Sequence, residues 1–474
     1  MIRPTPSEAA VVANEFAEAE LGDARRRRRL TAIARQLAAA PDASFPSALA
    51  TGADLEGFYR FTRSDAVTPE AILAPHISAT VRRLAEHSEV LAVHDTTECR
   101  FGGSREGLGR LTASGHGFLA HFTLAVTLDE RRDPLGTLAL ETWVRTATTP
   151  TALRKEKRIS NTKALALANE QDRWLRGVDA AEAAVDVATR LIHVMDSEAD
   201  DYDLMSRLVE GGQRWVIRLC HDRVLATGDG SAKAKEFVAR RKVKCTRTVQ
   251  LSRRRRQPGG SQRKRAIPRE QRIATLAIRA SAVTFRRPTH YKRSADLGDA
   301  LPVNIVSVRE IDPPVDDQRV EWLLITTERI DTEDNILKII DCYRARWRIE
   351  EFFRALKTGC AFEKRQLESR QTLLNALALF TPIAWALLRL RTAARTDEDV
   401  SARIVLDEEQ IIVLRKASEV PLPACLSARE AMSAVARLGG HLRSNGDPGW
   451  VVLGRGYQQL IAMVAGYRLA LEKK

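Results

Sequence analysis

The chain has 474 residues, 44% of them hydrophobic, and carries 75 Lys and Arg against 61 Asp and Glu, a formal net charge of +14. That length holds two or three domains with real cores, and no run of 18 apolar residues offers a membrane span. The opening MIRPTPSEAA lacks the basic-then-apolar order of a secretory leader, and six cysteines scattered without a CxxC pair argue for a reducing cytoplasm and against a zinc module or disulfide framework.

Taken in order, residues 1 to about 70 read as helices. Glu8 to Glu20 is Ala-rich, LGD interrupts it, and Ala24 to Ala40 resumes with Leu30, Ile33, Ala34 and Leu37 at helical spacing. The unbroken run Arg25 to Arg29 sits on this second helix, and Arg25, Arg28, Arg29 and Arg35 are left for solvent or phosphate. Phe45 to Phe61 reads as a third helical region. From about residue 88 the period becomes that of strands: VLAVHDTT (Val90 to Thr97), a buried strand ending in an acid, then Phe118 to Leu128 and Leu135 to Arg145. Helical stretches Lys163 to Trp174 and Gly177 to Arg190 lead to LIHVMD (Leu191 to Asp196), a second buried strand ending in an acid. Three strands, a helix and a fourth strand is the opening order of a ribonuclease H-like α/β fold. In open sheets sites form at strand ends, which makes Asp95 and Asp196 candidates. His94, alternating with Asp95, should point the other way and serve packing.

Residues 213 to 328 are strand-rich and should interrupt that core. They contain an arginine-rich loop: nine basic residues face one acid, Glu270, between Arg253 and Arg272. Such local excess points to a phosphate polymer as partner, because neutralising phosphates releases counterions. The stretch Tyr343 to Lys357, YRARWRIEEFFRALK, follows. On one helix, Tyr343, Arg346, Trp347, Glu350, Arg354 and Lys357 span an arc of roughly 100°, with Cys342, Ile349, Phe352, Phe353 and Leu356 opposite. A face built for helix stability would alternate Glu and Lys at four-residue spacing. This one sets a single acid among two aromatics and three cations, a grip on something flat and anionic. A solvated basic surface gives the same spacing. Helices continue from Thr372 to Ala394 and, past a linker-like stretch around Thr396 to Asp399, to the terminal helix Gly456 to Glu472. There Tyr457, Leu460, Ile461, Val464 and Tyr467 form an apolar stripe, suited to pairing two protomers or to folding back.

Carboxylates are hard oxygen ligands suited to Mg²⁺ or Mn²⁺. Two such ions about 3.5–4 Å apart activate an attacking oxygen and stabilise the leaving oxygen of a phosphodiester. Two strand-end aspartates and a helix-face glutamate, Asp95, Asp196 and Glu350, answer that need.

With these residues the chain resembles the insertion-sequence-four family of DDE transposases. The Tyr-Arg-Glu-Lys signature of that family, Y-x2-R-x3-E-x6-K, is met by Tyr343, Arg346, Glu350 and Lys357. The likeness extends to LGDARR, GFYRF, DTT at 95 to 97, MDSEAD at 195 to 200, EWLLITT at 321 to 327 and ARLGG at 436 to 440. It implies a bacterial, cytoplasmic, nucleoid-associated cut-and-paste transposase. Such an enzyme nicks each element end, forms and reopens a hairpin, and transfers the ends to target DNA. It implies Asp95, Asp196 and Glu350 as catalytic acids holding two Mg²⁺, with Mn²⁺ able to substitute, and a homodimer on paired ends of double-stranded DNA. It implies DNA contacts by Tyr343, Arg346, Arg354, Lys357 and Arg218, and a flipped base held by Trp322 and Trp347; core packing is the ordinary alternative for those tryptophans. The expected division is a helical end-binding domain (1–70), a ribonuclease H-like catalytic domain (71–369) with its β insertion (213–328), and a helical dimerisation domain (370–474). A structure-selective nuclease of the same fold, or an inactive DNA-binding relative, would share much of this sequence. The latter predicts a lost acid, and all three are present.

Overall fold

The computed structural model describes residues 6–49, 51–103, 105–111, 115–145, 170–185, 189–226, 232–251, 270–289, 298–315, 317, 319–396, 400–442 and 447–471. The helix expected over 163–169, the arginine loop 253–265 and most of the linker near 396–399 lie outside them. The protein is mixed α/β and gathers into two compact units, neither a single stretch of chain. Unit 1 comprises Met1–Ile159, Asp179–Arg190 and Trp347–Lys474; unit 2 comprises Ser160–Val178 and Leu191–Arg346.

The elements in chain order begin with helices α1 (Pro6–Asn14), α2 (Ala24–Ala39), α3 (Phe45–Ala48), α4 (Gly52–Arg63) and α5 (Pro69–Leu84). Each cap is local: Asp23 accepts from Arg25 N (2.7 Å), Thr51 from Asp54 N (3.1 Å), Thr68 from Ala71 N (3.2 Å). The single helical region expected over 45–61 is two helices, because the Thr51 cap starts a new one. Strands β1 (Glu89–Phe101), β2 (Gly109–Arg110), β3 (His116–Thr127) and β4 (Pro134–Trp143) follow. β1 runs past the expected end at Thr97, because β3 pairs with it in register as far as Phe101↔His116. Asp95 is therefore a mid-strand residue, not a strand-terminal one.

Then come α6 (Arg173–Ala184), β5 (Arg190–Met195), α7 (Tyr202–Glu210), β6 (Trp215–Arg218), α8 (Ala234–Ala239), β7 (Cys245–Leu251), β8 (Arg272–Arg286), β9 (Ala300–Glu310) and β10 (Glu321–Thr326). The remainder is helical: α9 (Glu333–Ala345), α10 (Trp347–Arg354), α11 (Arg370–Thr396), α12 (Glu408–Ala417), α13 (Ala428–Leu438) and α14 (Trp450–Leu471). The stretch expected as one helix from Tyr343 to Lys357 is three pieces. The Arg346 amide bonds back only three residues, to Tyr343 O at 3.2 Å, which tightens the chain between α9 and α10. Beyond Arg354 the backbone widens into a π turn, Ala355–Gly359, closed by Cys360 N to Ala355 O at 2.7 Å. The apolar stripe holds regardless: Cys342, Ile349, Phe352 and Leu356 are fully buried.

Within unit 1, β3 pairs antiparallel with β1 on one edge and with β2 and β4 on the other. Eleven of its twelve residues are buried, so it lies covered on both faces. Phe122 packs edge-on against Phe352 of α10, ring centroids 5.2 Å apart, while α11 lies on α5 and β4, its Trp385 Nε1 donating to Pro134 O at 2.8 Å. α11 is long and apolar enough to cross a membrane, with a mean hydropathy of 1.7 over its most apolar window, yet 94% of that window is buried in protein, as in the core helix of a globular domain. The α14 stripe folds back: Tyr457, Leu460 and Val464 are buried, and α14 packs on α12 and α13. Gly456 and Gly439 permit this crossing, since a Cβ at either would strike the facing backbone carbonyl. Those three residues are spent inside the chain, while Ile461 and Tyr467 of the same stripe are half-buried.

A buried ionic knot ties α1 to α5 and β4. Glu15 accepts from Arg83 Nη1 (2.8 Å) and faces His76 Nδ1 (2.5 Å), while Thr137 N donates to His76 Nε2 (3.2 Å). A ring that accepts at Nε2 must donate from Nδ1, so His76 is held neutral. Burial, joined by the Arg83 charge, pushes the His76 pKa down against the pull of Glu15. Burial alone would raise the Glu15 carboxyl, but His76 and Arg83 outweigh it and lower it. Both groups bind protons more readily when unfolded. The stability they give is therefore present above the unfolded values and lost as pH falls through 6.5 and then 4.5. Thermal unfolding followed from pH 7.5 to 5 should show falling stability, and His76→Gln should lose most of that slope.

Within unit 2, β5 and β6 are parallel, and β6, β10, β9, β8 and β7 pair antiparallel in that order. A core of Trp174, Met195, Met205, Trp215, Phe285, Ile305 and Ile325 lies against this sheet.

Candidate active site

In unit 1 the pairing of Asp95 with Phe122 decides which way the acid faces. Directly opposed residues of an antiparallel pair share a face of the sheet, and Phe122 is the residue on which α10 sits, touching Phe352 and, at 5.8 Å, Phe353. Glu350 lies three residues before Phe353, about 60° round α10 from it. α10, which carries Glu350, therefore packs on the face of β1 and β3 to which Asp95 points, and both acids are half-buried. The Asp95 carboxylate accepts from Thr96 N at 2.8 Å. His94 points to the opposite face, fully buried, 3.0 Å from Thr123 Oγ1 and stacked on His121; packing is its role.

Beyond Glu350, Trp347 is 49% exposed and Arg354 lies over its ring at 5.3 Å. Lys357 donates to Glu98 O and stands 3.3 Å from Glu363, so protein acceptors already surround this cation. Glu363 went unnoticed in the sequence because it lies past the π turn, where helical spacing no longer counts.

In unit 2 Asp196 follows β5 directly and caps a short 3-10 turn, Ser197–Ala199, accepting from Glu198 N at 2.8 Å. Asp200, one turn on and buried, accepts from Cys220 N and His221 N (2.7 Å each), from Arg223 Nε (2.9 Å) and from Arg223 Nη2. Asp200, Cys220 and His221 form the close group of metal-type ligands found among the described residues. The carboxylate oxygens already accept four donors, so the group staples the β5 turn to the β6 turn. The acid run SEADD hints at Asp200, but nothing local reveals Arg223. Arg218 ends β6, half-buried, opposite Leu324 of β10. Trp322 on β10 is half-buried and meets the Tyr343 ring edge-on at 5.6 Å. Tyr343 is itself only 6% exposed. Arg346 is half-buried.

On α2, Leu30, Ile33, Ala34, Leu37 and Ala38 are buried and Arg25, Arg27, Arg28, Arg29 and Arg35 are exposed, while Arg26 turns in to donate to Leu21 O at 2.9 Å. The spacing fixed this side assignment, as amphipathic helices require.

The donor chemistry of Asp95, Asp196 and Glu350 fits a hard divalent cation: oxygen-only, each half-buried rather than sealed, and with His94 turned away. Asp95 and Glu350 belong to unit 1 and Asp196 to unit 2.

Comparison with known proteins bears on this arrangement. Residues 8–67 match the family model described as transposase DNA-binding, and residues 166–384 match the transposase DDE domain. The second match takes in Asp196 and Glu350 and begins downstream of Asp95. Among solved structures the chain is similar to one described as the cryo-EM structure of the piggyBac transposase synaptic complex with hairpin DNA. The identity is 8% and the TM-score 0.36, over 92% of this chain and 81% of that one. A basic DNA-binding module followed by a carboxylate-bearing DDE domain defines a DNA-processing enzyme of the phosphoryl-transfer class. The chain is a DDE transposase, a metal-dependent DNA-cleaving enzyme.

Proposed function

We propose that this transposase belongs to the insertion-sequence-four family, close to the transposon-five transposase. In this reading it performs cut-and-paste transposition on a ribonuclease H-like core, with Asp95, Asp196 and Glu350 as the catalytic acids. The observation that carries the reading is that α10, the helix of Glu350, packs on the sheet face to which Asp95 points, in a chain whose DDE match also contains Asp196. Two Mg²⁺ ions, or Mn²⁺, bound by these acids would supply activation of the attacking oxygen and charge stabilisation at the leaving oxygen. The protein's own part is to orient DNA. Arg346, Arg354 and Lys357, with Tyr343 and Arg218, hold phosphates near the cleaved end, and Trp322 and Trp347 receive the base that leaves the stack. Because α14 buries its main stripe internally, pairing of two protomers on two ends is assigned to surfaces other than Tyr457, Leu460 and Val464. We place the enzyme in the bacterial cytoplasm, on the nucleoid.

The test uses duplexes built from inverted repeats flanking the gene, incubated with the purified protein and Mg²⁺. Nicks, then hairpins, then insertion into a target plasmid are expected, with paired-end complexes on native gels. Cleavage without hairpins or pairing would make it a nuclease of the same fold.

The end-binding module gives a separate prediction. Phosphate contacts position a protein without reading sequence, and Arg28 is exposed on α2 beside Arg25 and Arg29. Arg28→Ala should weaken binding to all duplexes alike and lower the salt slope by about one. An unchanged slope in a salt titration would leave Arg28 in solvent.

A further inference from the structure

Glu351, the neighbour of Glu350, is 6% exposed and faces away from the site. Its Oε2 accepts from Arg348 Nη1 and its Oε1 from Arg395 Nη1, each at 2.8 Å. The charge of Arg391, one turn before Arg395 on α11, bears on the same carboxylate. Arg348 reaches onward: its Nε donates to Arg132 O (3.0 Å) and its Nη2 to Arg131 O (2.9 Å), in the turn between β3 and β4 where Arg132 has a left-handed φ of +50°. Arg395 also meets Asp447 at 3.1 Å. One buried carboxylate thus clamps α10 to the β3–β4 turn on one side and to α11 on the other.

α10 needs such a clamp. It is eight residues long, it starts at the break after Arg346 and it runs into a π turn. A helix of two turns, irregular at both ends, takes its rotation from what its side chains grip rather than from its neighbours in sequence. The Phe352 contact fixes which face lies on the sheet but tolerates sliding, whereas two directed hydrogen bonds to one carboxylate do not. A turn of about 100° separates successive side chains, so locking Glu351 locks the aim of Glu350.

We propose that Glu351 is a positioning residue for DNA cleavage: through Arg348 and Arg395 it sets the rotation of α10 and thereby holds Glu350 at its metal position. This rests on the assignment of Glu350 as a metal ligand.

The experiment compares Glu351→Gln and Arg348→Gln in the full-length protein, bound to end duplex, by titrating Mg²⁺ and measuring the first nick. Glu351→Gln should raise the Mg²⁺ concentration for half-maximal nicking at least about tenfold, and Arg348→Gln should raise it several-fold. Metal-free end binding should stay within about twofold. Arg395→Gln added to Glu351→Gln should recover part of the loss, because it removes one uncompensated guanidinium. A lesion that merely loosened the fold would depress end binding and leave the half-saturation point of the surviving enzyme unchanged. Wild-type Mg²⁺ dependence in both single variants overturns the proposal, and if Glu351→Gln does not fold, Arg348→Gln alone decides. Glu350→Ala that still nicks would overturn the ligand assignment instead, a result separate from either.

Discussion

Alanine at Asp95, Asp196 or Glu350 is expected to cut nicking of an end duplex about a thousandfold or more, equivalent to ~4 kcal/mol of transition-state stabilisation, while end binding survives. The reason is a division of labour along the chain. Binding is expected from the arginine face of α2, far in sequence from all three acids, so removing a carboxylate leaves those contacts intact. In the proposed metal site, removing any one carboxylate would take away one of few oxygen ligands. Asp95 and Glu350 are each half-buried, so neither substitution opens a core cavity. Gel-shift and nicking assays on the same preparation separate the two effects. A variant at any of the three positions that still cleaves in Mg²⁺ sinks its assignment. Substituting the fully buried His94 should instead destabilise the protein, with nicking lost only in proportion to folded material.

Trp322→Ala should leave the first nick nearly intact and slow hairpin formation by roughly ten- to a hundredfold. A hairpin bends the two strands of a blunt end sharply, which is easiest when one base leaves the stack. That costs a few kcal/mol unless a protein surface replaces the lost stacking, and an aromatic ring returns about 1–3 kcal/mol per base. Trp322 is half-buried and rests edge-on against the buried Tyr343, an arrangement that holds one aromatic ring still while leaving part of it accessible. A substrate lacking the extruded base should recover part of the rate, since the unstacking cost is then absent. Equal slowing of nick and hairpin would make Trp322 a folding residue. Tyr343→Phe keeps the ring edge on Trp322 and removes only the hydroxyl, so it should slow hairpin formation less than Trp322→Ala, by the loss of the proposed phosphate contact alone.

The sequence alone determined what depends on local period and residue chemistry. The buried stripe and exposed arginines of α2, the strands of unit 2 and the apolar side of α9 and α10 all follow from spacings of 3.6 or 2, which fix the face a side chain takes. The sequence also offered Asp95, Asp196 and Glu350 as candidate metal ligands by their oxygen-donor chemistry. Their placement was less legible: β1 carries Asp95 in mid-strand because β3, a separate stretch, continues the ladder past it.

Tertiary structure decided which partner each face meets. The expected single helix from Tyr343 to Lys357 is broken at Arg346, whose amide bonds three residues back instead of four, a choice no spacing rule contains. The α14 stripe became an internal contact because Gly439 and Gly456 let two helices cross closely. Glu351, an unremarked second acid in a Glu-Glu pair, became the hub of a clamp through Arg395, 44 residues away. Period tells a residue which way to face. Only the folded chain, which sets residues hundreds of positions apart within hydrogen-bond reach, determines what it faces.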